Sequence, residues 1–211
     1  MTSNKVMESM IQRIDASPKG KAFVLSDFAD LGSYDAVKKA FSRLAAEGKL
    51  IRVHRGIYQK PNYNEFLQQD VALSPREVAE AIARAYGWHI VPSGEAALNQ
   101  MGLSTQVPSV YEYVTDGPHK TIRHAQFVIK LKRRTNREIS ELSPKSALLI
   151  EAIKAIGKED MNKDIRRKLM RKFSQAEKKK LLKEAQRTRS WVYEEIKNMT
   201  SEGDNHLTHS Q

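Results

Sequence analysis

A chain of 211 residues with 40% apolar residues, a formal net charge of +11 and no cysteine can fill two small cores and excludes disulfides, thiol catalysis and cysteine metal ligands. It has no run of about 18 apolar residues, so no transmembrane helix is expected, and its start, MTSNKVMESMIQRI, lacks the pattern of a secretory leader, so a cytoplasmic protein is expected. The charge sits at the two ends: residues 1–62 carry 11 Lys+Arg against 6 Asp+Glu, residues 63–160 carry 12 against 12, and residues 161–211 carry 13 against 7, which points first to a phosphate-rich partner.

Residues 4–15, NKVMESMIQRID, place Val6, Met7, Met10, Ile11 and Ile14 at helical spacing. SPKGK then reads as a turn and AFVL, residues 22–25, as a short strand. Ser26 is placed to cap a short helix, DFADL, that Gly32 ends; Ser33 caps the next helix, from Tyr34 to about Glu47. This second helix carries an apolar stripe of Val37, Ala40, Phe41 and Leu44, with Gly48 at its exit. LIRVHRGIYQKP, residues 50–61, follows as a hairpin with Arg55-Gly56 at its turn, where a tight connection needs glycine. Leu50 is expected to face the core and Arg52 to face out. The order helix, strand, helix, helix, strand, strand predicts a winged helix-turn-helix domain over residues 1–62.

Asn62 to Leu73 reads as a polar connector. Ser74-Pro75-Arg76-Glu77 is a capping box that opens a helix to about Tyr86, stopped by Gly87. WHIVP is a buried strand, and Ser93 to Met101 a small helix ended by Gly102. VYEYVT and AQFVIKLK read as strands around a TDGP turn, with IRH a candidate third. Ser143-Pro144 starts a helix bearing Ala147, Leu148, Ile150, Ile153 and Ile156. Residues 63–160 therefore predict a mixed α/β domain, residues 161–199 a basic helical extension with a second capping box at Ser174–Glu177, and residues 200–211 a disordered tail. The predicted class is α+β.

The face of the second helix opposite its apolar stripe presents Tyr34, Lys38, Lys39, Ser42 and Arg43. These side chains can bond base edges or phosphates in a major groove, and the amides after Ser33 can meet a phosphate. Arg52, His54 and Arg55 are expected to gather at one edge of the hairpin, where arginines reach backbone or minor groove. The candidate DNA-binding set is thus Ser33, Tyr34, Lys38, Lys39, Ser42, Arg43, Arg52, His54 and Arg55. A solvated charged tip, or a winged helix that meets protein, would display the same residues. Arg123, Lys130, Lys132, Arg133, Arg134 and Arg137 form a second candidate basic patch in the middle domain, with a solvated strand end as its plain alternative. The helices IRRKLMRKF and EKKKLLKEAQR read first as bundle packing with lysine-rich outer faces.

RLAAEGKLIRVHRGIYQKP resembles the end of the winged-helix domain of AbiEi-type antitoxins, where an apolar-Arg strand and an R-G-hydrophobic-Tyr turn precede a proline. SGEAALNQMGLSTQVPSVYEYVTDGPHKTI is similar to the start of that family's C-terminal domain. The resemblance spans residues 5–157. It implies an antitoxin of a type IV toxin–antitoxin system of the kind linked to phage defence by abortive infection. Such a protein represses its operon by binding double-stranded DNA at promoter repeats. It also neutralises a nucleotidyltransferase toxin without a stable complex. Carried over, the DNA contacts fall on Lys38, Lys39, Ser42, Arg43, Arg52 and Arg55; no antitoxic residue can be carried over. Self-association on DNA is a further expectation.

Other chemistry is thinly signalled. The six histidines form no H-x-x-x-H or H-E-x-x-H pair, so no metal site is expected. Glu112, Asp116 and Lys120 could be assembled into a nuclease site on paper, but a turn explains Asp116-Gly117 more simply. There is no phosphate-cradling glycine motif and no nucleophile elbow, so neither a cofactor nor an enzymatic activity is expected, and no membrane partner. A plain winged-helix regulator with a ligand-sensing or dimerising middle domain is the alternative reading, and an enzyme on nucleic acid a third.

Overall fold

The computed structural model describes residues 3–123, 126–134, 139 and 141–202. The protein is α+β and divides into two compact units, Met1–Trp88 and His89–Gln211.

The first unit runs α1 (Ser3–Asp15), β1 (Ala22–Val24), a 3-10 turn (Leu25–Phe28), α2 (Tyr34–Ala46), β2 (Ile51–His54), β3 (Ile57–Gln59), β4 (Tyr63–Asn64), β5 (Gln69–Asp70) and α3 (Pro75–Tyr86). The three-stranded sheet has the order β1-β3-β2 with both pairings antiparallel. Val6, Met10 and Ile14, one stripe of α1, join Val37, Ala40, Phe41 and Leu44 of α2 in a core completed by Phe23, Phe28, Leu50 and Tyr58. A row of rings ties the elements together: Phe23 to Phe28 at 5.6 Å, Phe28 edge-on to Phe41 at 5.3 Å, and Phe41 stacked on Tyr58 at 4.5 Å. Such aromatic pairs add roughly 0.5–1.5 kcal/mol each beyond area burial.

Three expectations change here. DFADL is not a helix: Ala29 N–H bonds Ser26 O and Leu31 N–H bonds Phe28 O, the i→i−3 pattern of a 3-10 turn. Ser26 does not cap it; Asp27 Oδ2 instead accepts from Val24 N–H at 3.0 Å, while Ser26 Oγ donates to Arg84 O. The expected connector holds a small hairpin, β4–β5, in which Asn64 Oδ1 accepts from Leu67 N–H and Gln68 takes φ +50°. The helix expected in the middle domain, α3, packs in the first unit. Its capping box forms as expected, Val78, Ala79 and Ile82 are buried, and Arg84 Nη2 donates to Ala22 O.

The second unit contains β6 (Ile90–Ser93), α4 (Glu95–Gln100), β7 (Val110–Thr115), β8 (Lys120–Arg123) and β9 (Val128–Arg133), then α5 (Pro144–Ile156), α6 (Lys163–Met170), α7 (Gln175–Ala185) and α8 (Ser190–Glu202). The sheet order is β6-β7-β9-β8; β7 and β9 are parallel and the other pairs antiparallel. The basic C-terminal helices are not an extension. Leu169, Met170, Phe173, Leu181, Val192, Ile196 and Met199 share one core with Met101, Leu149, Ile150 and Ile153. Helix α8 also runs past the expected start of the tail, with Thr200 buried and its hydroxyl bonded to Ile196 O. The rest of the expected tail, residues 203–211, lies outside the described residues.

Candidate nucleic-acid interface

Helix α2 is fixed at both ends by its own sequence. Ser33 Oγ accepts from Ala36 N–H, and the chain leaves through Gly48 at φ +71° with Lys49 N–H on Leu44 O at 2.9 Å. The apolar stripe holds one face to the core, so the other face must be solvent-exposed. Tyr34, Lys38 and Ser42 form one i, i+4 row on it, and Lys39 and Arg43 the next. Tyr34 is 67% exposed, and the Lys38 ammonium lies 6.0 Å from its ring centre. Ser42 Oγ donates to Lys38 O, leaving its lone pairs to accept. Arg43 lies 3.9 Å from Glu47, an exposed pair of small energetic weight. Asp35 places a negative charge in the first turn, which weakens that end as a phosphate site.

The hairpin is more specific than its sequence suggests. Ile51 pairs with Gln59 and Arg52 with Tyr58, but His54 pairs with Ile57, so Val53 is an extra, bulged residue. Lateral partners share a sheet face, and Tyr58 and Ile57 point to opposite faces. Arg52 therefore stands on the face of Tyr58, whose ring stacks on Phe41 of α2, and His54 on the other. Leu50 is buried in the core and Arg52 is exposed, as expected, on β2, an edge strand of the sheet. The gathering of Arg52, His54 and Arg55 at one edge thus becomes Arg52 toward α2, Arg55 at the turn and a half-buried His54 behind. Gly56 alone in the turn has positive φ, +79°, as a turn with its left-handed residue second requires.

Several cations of the unit away from this surface are already engaged, although Lys5, Lys19 and Lys21 are exposed and form no ion pair among the described residues. Arg13 makes a bidentate pair with Asp30 at 2.9 and 2.7 Å and donates to Asp27 O; that hydrogen bonding holds the Asp30 carboxyl below its usual range and Arg13 above its own. Lys60 Nζ donates to Asp15 O and Ser17 O. Arg84 lies 3.4 Å from Asp27. By contrast, Lys38, Lys39, Arg52 and Arg55 are exposed and form no ion pair among the described residues. Four uncompensated cations on α2 and the hairpin, with an exposed tyrosine beside Lys38, can bind an extended polyanion and release its counterions.

The second basic patch does not assemble as expected. Arg123, Lys130 and Lys132 share one sheet face and Arg133 faces the other way, as the register of β8, β9 and β7 dictates. Lys132 is held by Glu112 at 2.7 Å, Arg134 is exposed beyond the strand, and Arg137 lies outside the described residues. The carboxylates weighed for a nuclease site are engaged too. Asp116 takes His89 N–H at 2.8 Å and His89 Nδ1 at 2.7 Å. Burial pushes the Asp116 carboxyl up, but the bonds from the His89 ring and backbone outweigh it and leave it below its ordinary value. Among the described residues no three His, Asp or Glu side chains are grouped to hold a metal. One feature of this unit has no sequence signal beyond a helix start at Ser93-Gly94-Glu95: Ser93 Oγ, Glu95 Oε1 and Asn99 Oδ1 are buried without a hydrogen-bond partner.

The molecule is an α+β protein with a cationic helix-and-hairpin surface in its first unit. The chain belongs to a family of unknown function (DUF6088), whose profile matches residues 9–182. No curated protein matches it. No helix among the described residues is long and apolar enough to cross a membrane.

Proposed function

We propose that the protein is a cytoplasmic DNA-binding repressor that doubles as the antitoxin of a type IV toxin–antitoxin system, acting by binding rather than catalysis. The observation that carries the DNA-binding part is the set of exposed cations without an ion pair among the described residues, Lys38, Lys39, Arg52 and Arg55, on a helix and a hairpin joined by the Phe41–Tyr58 stack, with Tyr34 exposed beside Lys38. The order α1, β1, 3-10 turn, α2, β2, β3 and the sheet order β1-β3-β2 support a winged-helix reading in which α2 enters the major groove and the β2–β3 turn is the wing. The departure from the usual pattern is the middle helix, reduced here to a single 3-10 turn.

The antitoxin part is supported by the resemblance of the two quoted segments to AbiEi-type antitoxins. Its toxin would be a nucleotidyltransferase neutralised without a stable complex. The test is fluorescence anisotropy on duplex DNA from directly upstream of the gene, with random duplex as competitor. Selective binding that survives physiological salt is the expected result; equal competition by random DNA would reduce the surface to a non-specific one and refute the repressor. A toxin-like reading frame beside the gene is expected, and co-expression with it tests the second role: growth rescue that is lost when the chain is omitted is the expected result, and toxicity that the chain leaves unchanged would refute the antitoxin.

A further inference from the structure

Three buried polar atoms of the second unit lie within one short stretch of chain. Ser93 ends β6, Gly94 turns the backbone at φ +56°, and Glu95 opens α4 with Asn99 one turn on. Ser93 Oγ, Glu95 Oε1 and Asn99 Oδ1 are each buried without a hydrogen bond among the described residues. Ser93 as a whole is 7% exposed. A buried polar atom without a partner is costly, and three together call for an occupant.

The chemistry of the three atoms narrows that occupant. Asn99 Nδ2 donates to Gln106 O at 2.6 Å, so the amide cannot be turned over and Oδ1 is a fixed acceptor. A carboxylate oxygen also only accepts, and a serine hydroxyl can do either. An anion would be repelled; the occupant donates hydrogen bonds or carries positive charge. Glu95 and Asn99 are one helical turn apart, so their side chains leave α4 on the same side, about 5–6 Å apart at Cβ. Solvent reaches none of the three atoms. A hydrogen-bond donor needs about 2.7–3.2 Å and is shut out with the water. A hard cation sits closer, about 2.0–2.6 Å from its oxygens.

The charges agree with a cation. Glu112, the register partner of Ser93, lies against the turn, its Oε2 3.7 Å from where a Gly94 Cβ would stand, but it is paired with Lys132 at 2.7 Å. Glu95 forms no ion pair among the described residues, so its charge is the one left unbalanced. From this we infer that Ser93 Oγ, Glu95 Oε1 and Asn99 Oδ1 ligate a hard divalent cation of the magnesium or calcium class at the junction of β6 and α4. Carboxylate, amide and hydroxyl oxygens suit these ions. With a single carboxylate among the ligands the site is weak, with a Kd on the order of 10⁻⁴–10⁻³ M.

Isothermal titration calorimetry of the full chain, freed of metal by a chelator and without DNA, tests the inference with magnesium chloride and with calcium chloride. Saturable one-to-one binding of at least one ion is expected. Glu95→Gln keeps the shape and removes the charge, and should weaken that binding at least about tenfold, because ligand charge sets affinity. Ser93→Ala should weaken it as well, while raising the thermal midpoint of the metal-free chain by deleting an unsatisfied hydroxyl. Manganese(II) added to the unaltered chain should broaden the amide NMR signals of residues 93–99 and of Gln106 first, a readout that needs neither variant to fold. No saturable heat from either ion up to about 10 mM, binding that both variants leave unchanged, or broadening centred elsewhere overturns the inference. Because the readout contains no nucleic acid, either result leaves the DNA-binding proposal to its own test.

Discussion

Arg52→Ala with Arg55→Ala is the sharpest test of the DNA-binding reading. Both side chains are exposed and neither has an acidic partner among the described residues, so each would meet a phosphate with its full charge. Each phosphate neutralised by a cation contributes about 0.9 to the slope of log K against log salt. Losing two contacts should flatten that slope by about 1.8. Between 50 and 200 mM salt, the native protein should then lose about twelvefold more affinity than the variant. The assay is an anisotropy titration of a fixed duplex at a series of potassium chloride concentrations. Weakening should be similar on operator and random DNA, because phosphate contacts carry no sequence information. An unchanged slope would refute the reasoning: the two arginines would then be solvated, and the cationic surface would not be a phosphate surface.

Lys39→Ala and Arg43→Ala on α2 should instead shift preference at one base pair by about 1–3 kcal/mol, read by competition among single-substitution duplexes; uniform loss would mean backbone contact only. Phe41→Ala empties the centre of the aromatic row and should destabilise by about 3–5 kcal/mol in urea denaturation, with DNA binding lost alongside; a loss below about 1 kcal/mol would show that α2 is not held to the hairpin by that stack. Gly56→Ala adds a Cβ that meets nothing within 4 Å but forces a left-handed φ, which costs about 1–2 kcal/mol. Gly32→Ala meets Val6 Cγ2 at 2.8 Å and should cost about 1–3 kcal/mol by overpacking; thermal unfolding that leaves both variants unchanged contradicts the packing. Glu177 is held at about 2, against an ordinary 4.5, by the hydrogen bond from Lys145 and then by Ser174 N–H. Its folded pKa is depressed, so its contribution is complete above pH 4.5 and fades as pH falls through about 2. Lys145→Met should raise the Glu177 titration seen by carboxyl NMR and start acid unfolding at higher pH; an unmoved titration would assign the shift to the cap alone.

The parts of the molecule that proved legible in the sequence share one property: a short-range rule fixes them. The 3.6-residue period placed Val37, Ala40, Phe41 and Leu44 inward, and with them Tyr34, Lys38, Lys39, Ser42 and Arg43 outward, before any partner was known. The boxes at Ser74–Glu77 and Ser174–Glu177 needed only the spacing of two side chains. DFADL failed because Asp27 turns back to Val24 and Gly32 lets Val6 approach, contacts that helical propensity does not contain. The hairpin within Asn62–Leu73 escaped because two-residue strands leave no alternation to read.

The two basic patches make the same distinction at the level of function. Which way a helical side chain points is a property of the helix, so the α2 surface could be written down residue by residue. Which way a strand side chain points, and whom it meets, is a property of register. One bulged residue, Val53, sends His54 to the face away from Arg52. A parallel pairing between strands not adjacent in sequence puts Lys132 beside Glu112 and turns Arg133 to the other side. A count of positive charge treats the two patches as equals. The pairings leave Lys38, Lys39, Arg52 and Arg55 without an ion pair among the described residues and divide the middle patch between two faces, one of its lysines already neutralised, which is why the proposed phosphate contacts are sought in the first unit.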